Sequence, residues 1–304
     1  MTGKNWNRRE ILAAAGALAL TPALGLTEKR MMHSRKIPSS GEALPVIGLG
    51  TYSVFDVDSS AAEIATRKDI VDLLLGEGGS LIDTSPMYNR SERVIGDVFE
   101  AGSPRDACFI ATKVWTDGKD AGIAQMNRSA ELMNTDVIDL MQVHNLRDTD
   151  VHMASIRDRQ DAGKIRYNGL THYRAGALDA LERAMKRHEP DFVQINYSLG
   201  EREADQRFLP LAADTGVAVI ANRPYQSGAL FRATRGKDLP GWAAEFAASW
   251  GQFFLKFIVS HPAITCAIPA TSKPHHMGDN LEAGFGPMPN ESTRQRMVEF
   301  IRSL

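Results

Sequence analysis

The sequence has little of what marks several protein classes. Of its 304 residues only two are cysteines, Cys108 and Cys266, and the formal net charge is −2. Both cysteines lie in apolar runs, so buried core thiols are a better interpretation than a disulfide or a catalytic thiol. A nearly neutral chain has no overall field to attract nucleic acid, which disfavours a nucleic-acid-binding role.

Metal-ligand and dinucleotide-loop spacings are also missing. The pair His275-His276 is adjacent, and successive side chains do not point at one ion, so we expect no metal site. Residues 48–50 read Gly-Leu-Gly, but the third glycine of a Rossmann loop does not follow and no helix opens there. A Rossmann dinucleotide site is therefore not supported.

Residues 1–28 differ in character from the rest of the chain. Arg8 and Arg9 precede an apolar run that is too short for a permanent bilayer-spanning helix, so we expect no stable membrane span. The segment resembles a twin-arginine export signal, although Asn7 replaces the usual Ser or Thr. We expect export of the folded protein to the periplasm by the twin-arginine machinery. The alternative is an uncleaved leader on a cytoplasmic protein.

From residue 35 to the end, short apolar runs alternate with stretches of helical period. This alternation is typical of a parallel sheet covered by helices, and eight units in about 240 residues favour a closed (β/α)₈ TIM barrel. The predicted strands are 44–50, 80–84, 108–114, 137–144, 165–171, 192–197, 217–222 and 265–269. The predicted helices are 60–76, 91–101, 122–133, 151–162, 177–188, 203–213 and 242–260.

Two further elements complete the predicted domain, residues 35–304. Two extended pieces around Ser39-Ser40-Gly41 predict an N-terminal β-hairpin that caps the bottom of the barrel. Residues 291–304 place Met297, Phe300 and Ile301 on one face, which predicts a C-terminal surface helix.

Four titratable residues follow neighbouring strands, where a barrel places its working groups. Asp83, Lys113 and His144 lie at the ends of predicted strands two, three and four, and Tyr88 lies in the loop five residues after Asp83. Each alone has a structural alternative: a turn cap, a lid residue, a surface lysine and a core histidine. Their convergence favours a shared chemical role.

The chemistry of these four residues fits proton donation. A lysine inside a barrel mouth needs a partner, and Asp83 is the obvious one. The resulting cation is expected to lower the pKa of Tyr88, which then gives a proton to an oxygen that gains negative charge. His144 would donate a second hydrogen bond to that oxygen. A hydride from a nicotinamide would complete the reaction.

The segments that carry these residues resemble the aldo-keto reductase family. LIDTSPMYNRSERVIGDVF resembles the segment with the catalytic Asp and Tyr, while FIATKVW and DLMQVHN resemble the strands with the Lys and the His. GKIRYNGLTHY, DFVQINYSLG and AIPATSKPHHMGDNLEA resemble its cofactor-binding segments. The resemblance implies a (β/α)₈ barrel that binds NADPH across its top and reversibly reduces aldehydes or ketones to alcohols.

The resemblance also implies which residues bind the cofactor, with three departures from the usual pattern. His172 stands where the Asn of a Ser-Asn pair is usual. Asn222-Arg223 replaces the usual Tyr-Ser, and His276 stands where an Arg usually binds the 2′-phosphate of NADP. A histidine grips phosphate less firmly than a bidentate arginine, so we expect NADP with weak discrimination against NAD. The implied cofactor residues are Gly50, Thr51, Tyr52, Thr171, His172, Gln194, Asn222, Arg223, Gly228, Thr271, Lys273, His276, Asp279 and Asn280.

The expected partner is a small-molecule carbonyl compound. Trp115, Met87 and Tyr173, with Tyr52, would line an aromatic pocket mouth, although loop packing explains Met87 and Tyr173 equally well. Two other functions stay open: a nucleotide-binding barrel that acts as a regulatory or sensing subunit, and a lyase in which Lys113 forms a Schiff base. An intact set of four catalytic groups argues against the sensor, and a charged lysine argues against the lyase.

Overall fold

The computed structural model describes residues 30–304, so the predicted signal segment, 1–28, lies outside the described residues. A two-stranded antiparallel sheet precedes an eight-stranded parallel sheet with the order β10-β9-β8-β7-β6-β5-β4-β3. The predicted (β/α)₈ architecture and its hairpin cap are confirmed. The strands are β1 (Ser34–Lys36), β2 (Ala43–Pro45), β3 (Leu49–Gly50), β4 (Leu81–Asp83), β5 (Phe109–Val114), β6 (Ile138–His144), β7 (Ile165–Thr171), β8 (Phe192–Asn196), β9 (Ala218–Asn222) and β10 (Cys266–Ala267).

Backbone hydrogen bonds between the first and last strands close the barrel. Gly48 N donates to Ala267 O at 2.9 Å, and Gly50 N donates to Pro269 O at 3.0 Å. A Cβ at Gly48 would lie 2.8 Å from Leu81 O, and one at Gly50 would lie 2.8 Å from Ile268 O. The Gly-Leu-Gly sequence thus allows backbones to approach at this seam, which explains why it resembles a nucleotide loop without forming one.

The described residues contain ten α-helices, which cover the barrel and its C-terminal side. Between the helices and the outer faces of the strands lies the larger of two hydrophobic cores. The helices are α1 (Ala61–Gly76), α2 (Ser91–Glu100), α3 (Lys119–Leu132), α4 (Thr149–Asp161), α5 (Leu178–His188), α6 (Phe208–Asp214), α7 (Ala229–Ala233), α8 (Trp250–Val259), α9 (Pro274–Glu282) and α10 (Glu291–Arg302).

The hairpin seals the lower end of the barrel. Ile37 and Leu44 belong to the second core, which fills the barrel interior. The hydroxyl of Tyr167, on β7, contacts Ser40 Oγ at 2.7 Å and donates to Glu42 Oε2 at 2.6 Å. The opposite end, where the strands terminate, is therefore the one left for a ligand.

Several predicted boundaries are wrong. The first predicted strand, 44–50, divides between β2 and β3, because Leu44 pairs with the hairpin. The helix predicted at 242–260 begins only at Trp250, since Gly241–Glu245 forms a 3₁₀ turn. α6 starts at Phe208 rather than residue 203, and the predicted set of helices lacks α7 and α9.

Both cysteines are buried and free, as the sequence predicts. Burial raises the pKa of the Cys108 thiol to about 12, and burial also raises that of Cys266, so neither is a nucleophile at neutral pH. Within residues 30–304, no group of three or more His, Cys, Asp or Glu side chains could hold a metal ion. Within the same range, no helix has the length and apolarity to cross a membrane.

Candidate active site

A buried ion pair occupies the upper end of the barrel. Lys113 Nζ, on β5, donates to both carboxylate oxygens of Asp83 at 2.8 Å and to the carbonyl of Thr84 at 2.7 Å. The side chains of Lys113 and Asp83 are 1% and 3% exposed, respectively. Three acceptors around one ammonium satisfy all of its protons, which makes this burial tolerable.

Two glutamines complete the surroundings of Asp83. Gln142 Nε2, on β6, and Gln194 Nε2, on β8, each donate to the carboxylate at 3.3 Å. Thr51 Oγ1 donates to the Asp83 backbone carbonyl at 2.9 Å and so ties the loop after β3 to this strand end. Asp83 therefore accepts hydrogen bonds from four side chains, those of Lys113, Gln142, Gln194 and Thr51. Gln142 is absent from the predicted site, although its position two residues before His144 puts it on the same strand face.

Tyr88 reaches the ion pair from a 3₁₀ turn, Pro86–Tyr88. Lys113 Nζ lies 5.0 Å from the centre of the Tyr88 ring. The ring of His144, at the end of β6, lies edge-on to the Tyr88 ring with 6.0 Å between centroids. The structure thus brings the four predicted catalytic residues, Asp83, Tyr88, Lys113 and His144, to one place.

The predicted lowering of the Tyr88 pKa is wrong. Burial raises the pKa of Tyr88, and this effect outweighs the opposing charge of Lys113, while Asp83 adds to the rise. The phenol therefore keeps its proton at neutral pH, which is the state a proton donor needs. Tyr88 can therefore still serve as a proton donor, although its pKa is raised and not lowered.

Of the two groups beside Tyr88, Lys113 is charged and His144 is neutral. Burial alone would lower the pKa of Lys113, but Asp83 and Tyr88 outweigh it, so the pKa is raised and Lys113 stays a cation. Burial, with Lys113 and His172 acting in the same direction, lowers the pKa of His144 to about 3. His144 is therefore a neutral hydrogen-bonding group rather than a second cation.

Several buried amide oxygens at or near the strand ends, among them those of Gln194 and Asn222, lack partners among the described residues. Gln194 Oε1 and Asn222 Oδ1 are buried and accept no hydrogen bond there. A buried acceptor without a donor is costly, so such atoms mark where a ligand's N–H groups would bind. A nicotinamide carboxamide carries such N–H groups, and these residues fit one.

The loops after β7 and β9 meet over the barrel mouth. The rings of His172 and Tyr173 stack, with 5.6 Å between centroids and 12° between planes. The guanidinium of Arg223 lies 5.8 Å from the centre of the Tyr173 ring. Thr171 ends β7 beneath this cluster and is buried. The implied role of Arg223 in cofactor binding stays a prediction.

The segment around α9 holds most of the remaining predicted cofactor residues. Thr271 Oγ1 accepts from Lys273 N at 3.1 Å, and His276 is exposed in the first turn of the helix. Asp279 Oδ2 accepts from Ser249 Oγ at 2.7 Å. Two more positions complete the set: Gly228 has a φ of +81°, and Asn280 Oδ1 accepts from the Tyr225 hydroxyl at 2.5 Å. The cofactor contacts of these residues stay predictions.

Large apolar side chains surround the opening. Tyr52 is 63% exposed, and Met87 and Tyr173 are 37% and 36% exposed. Tyr52 follows Gly50 and Thr51 and packs edge-on against Tyr88, with 5.1 Å between centroids. Trp115 is partly buried, and the Arg147 guanidinium lies 5.1 Å from its ring centre. An exposed aromatic rim suits an organic substrate.

Fold and site together indicate a barrel-type oxidoreductase, in which a neutral tyrosine and a neutral histidine lie side by side at the open end of the barrel. The chain belongs to the aldo/keto reductase family, whose model matches residues 46–296. Membership confirms the predicted class of enzyme, a reductase of aldehydes or ketones that uses NADPH. The comparisons do not support the sensing alternative.

Curated relatives and solved structures agree with this membership. The chain is 27% identical over 259 residues to methylglyoxal reductase YeaE of Escherichia coli K12, covering 82% of this chain and 89% of that protein. It is 28% identical over 204 residues to aldo-keto reductase YhdN of Bacillus subtilis 168, covering 62% of this chain and 61% of that one. An aldo-keto reductase from Klebsiella pneumoniae, solved with NADPH, has the same fold: the TM-score is 0.75 at 23% identity, over 90% and 95% of the chains.

Proposed function

We propose that this enzyme reduces the carbonyl group of a small organic substrate with NADPH, and that Tyr88 is the general acid. The observation that carries the proposal is the convergence of Tyr88, His144 and the Lys113–Asp83 pair at the open end of the barrel. NADPH is the cofactor in the structure of the Klebsiella pneumoniae relative.

The side chains divide the work of carbonyl reduction. His144, neutral, donates a hydrogen bond to the carbonyl oxygen and orients it, while Tyr88 gives that oxygen its proton. The Lys113 cation, 5.0 Å from the tyrosine ring, stabilises the phenolate that remains. When bound, the nicotinamide supplies the hydride. Gln194 and Asn222 would hold its carboxamide through their unpaired oxygens.

The substrate is proposed to be a small aldehyde or dicarbonyl compound with an apolar face. Two relatives are named for methylglyoxal and glyoxal reduction. The exposed rings of Tyr52 and Tyr173 favour substrates that also offer apolar surface. A panel of methylglyoxal, phenylglyoxal and benzaldehyde would rank these contributions by kcat/KM. Equal values for methylglyoxal and phenylglyoxal would contradict a role for the aromatic rim.

Replacing the proposed acid tests the proposal directly. Tyr88→Phe removes the proton and keeps the ring, so reduction is expected to fall at least ~100-fold. The dissociation constant of NADPH should stay within about twofold, because the cofactor contacts proposed above lie on other residues. NADPH absorbance measures the first effect and protein fluorescence the second. Activity that survives Tyr88→Phe would contradict the mechanism.

We further propose that residues 1–28 direct export of the folded enzyme to the periplasm by the twin-arginine route. The support is the Arg8-Arg9 pair ahead of a short apolar run. A route for folded chains suits an enzyme that assembles around a nucleotide. The double substitution Arg8→Lys, Arg9→Lys keeps the charge, so retention of this variant in the cytoplasm would identify the arginines as the signal. An unchanged distribution would contradict the proposal.

A further inference from the structure

The buried hydroxyl of Ser85 contacts two segments of the site, the turn that carries Tyr88 and the strand end that carries His144. Ser85 is fully buried and stands just before the turn that carries Tyr88. Its Oγ accepts a hydrogen bond from Met87 N at 3.2 Å, and the same Oγ lies 3.1 Å from Nδ1 of His144. The carbonyl of Ser85 also accepts from Tyr88 N at 2.9 Å.

The direction of the Ser85–His144 hydrogen bond follows from proton counting. A hydroxyl has one proton, and the bond from Met87 N does not use it. Within residues 30–304 the acceptor recorded for that proton is Nδ1 of His144. If Nδ1 carried a proton and donated instead, a fully buried hydroxyl proton would have no acceptor, which is unfavourable. Ser85 therefore donates to His144.

This direction fixes which nitrogen of His144 carries the proton. Nδ1 accepts, so the single proton of the neutral ring is on Nε2. The low pKa of His144 keeps the ring neutral. Nε2 has no hydrogen-bond partner in the described part of the chain, so its N–H is available to a ligand.

We propose that Ser85 is a positioning residue, which holds His144 in the Nε2–H tautomer and so makes it a hydrogen-bond donor to the carbonyl oxygen that Tyr88 protonates. The inference rests on the proposed carbonyl reduction. Because Ser85 also caps the turn of Tyr88, the donor and the acid are fixed relative to each other through one residue. Ser85 is absent from the site residues that the sequence predicts.

Nitrogen NMR of the full-length protein tests the tautomer without any turnover, so its outcome does not depend on the reduction. The sequence has 8 histidines, and His144→Gln identifies the signals of His144 in protein labelled with ¹⁵N-histidine. The expected result is a protonated Nε2 and an unprotonated Nδ1, with a mixture of tautomers in Ser85→Ala. A protonated Nδ1 in the wild-type protein overturns the proposal.

Kinetics test the consequence for catalysis. Ser85→Ala is expected to lower kcat about tenfold, the effect of one lost neutral hydrogen bond, with the NADPH dissociation constant within about twofold. Ser85→Thr keeps the hydroxyl and should restore most of kcat. Ser91→Ala is the matched control, because Ser91 is equally buried and its Oγ has no partner among the described residues.

Two kinetic outcomes overturn the proposal. One is a Ser85→Ala variant as active as Ser91→Ala. The other is a Ser85→Ala variant that loses activity while His144 keeps its Nε2–H tautomer, since Ser85 would then act through the turn of Tyr88 alone.

Discussion

Replacing only one partner of the Lys113–Asp83 pair should lower the free energy of unfolding far more than replacing both. The ammonium and the carboxylate are 2.8 Å apart, which corresponds to ~6 kcal/mol of attraction at an effective dielectric constant of about 20. Both groups are buried, so removing either partner strands a charge away from water. Lys113→Met or Asp83→Asn alone should therefore lower the free energy of unfolding by about 3–5 kcal/mol.

The double variant, Asp83→Asn with Lys113→Met, should be much less destabilised than the sum of the two single variants. It leaves no buried charge, and the amide introduced by Asp83→Asn would keep an oxygen that accepts from Gln142 and Gln194. The coupling free energy is expected to be roughly 3 kcal/mol or more. All three variants should lose carbonyl reduction, because the arrangement of charges beside Tyr88 is disrupted. The double variant is thus expected to regain stability relative to the single variants without regaining activity.

Urea denaturation followed by tryptophan fluorescence measures the free energies of unfolding, and NADPH absorbance measures activity. The ion pair Lys119–Asp158 is the matched control, because its side chains are 61% and 68% exposed. Lys119→Met should change stability by less than about 1 kcal/mol. Single variants at Lys113 or Asp83 that cost as little stability as the control, or a double variant whose destabilisation equals the sum of the two, would contradict a strongly coupled buried pair.

Two further predictions concern pH. Because Tyr88 must be protonated and its pKa lies above the ordinary value of 10.0, kcat for reduction should stay constant through neutral pH and fall only above that value; a fall near neutral pH would contradict this. Burial, His275 and Lys273 lower the pKa of His276 below 6.5, so the ratio of kcat/KM for NADPH to that for NADH should rise only as pH drops below that value. His276→Ala should remove the rise, whereas His275→Ala should keep it.

The sequence predicts the barrel and the convergence of Asp83, Tyr88, Lys113 and His144 well because both depend on local patterns. The strand ends that carry Asp83, Lys113 and His144 lie in apolar runs, and parallel pairing brings such ends together. Tyr88 is added by the short turn after Asp83. None of these placements depends on the exact packing of distant loops.

The wrong helix boundary before α8 has a different cause, because it depends on contacts between separate segments. Residues 242–249 are rich in helix formers, yet the rings of Trp242 and Phe246 pack on Phe253 and the helix starts only after Ser249. The helix after Lys273, by contrast, does have a local signal in the sequence, which is Pro274 at its first position.

The direction of the Tyr88 pKa shift could not be predicted from residue types alone. The sequence indicates that Lys113 and Asp83 lie near Tyr88, but it does not show how deeply the phenol is buried. Burial makes the largest contribution to the shift of the Tyr88 pKa. The role of the Ser85 hydroxyl is hidden for a related reason, since its contact with His144 links two strand ends far apart in the sequence.

The hydrogen bonds that close the barrel determine how late in synthesis the cofactor site can form. Gly48 and Gly50 donate backbone hydrogen bonds to Ala267 and Pro269. The strand β3 therefore has no partner on that side until the chain has been synthesised beyond residue 269. Pairings between such distant segments form late in folding. The proposed cofactor site spans strands on both sides of the seam, from Gly50 to Thr271, so nucleotide binding should follow chain completion. A chain that ends before residue 267 is therefore expected to lack both the closed barrel and the proposed cofactor site.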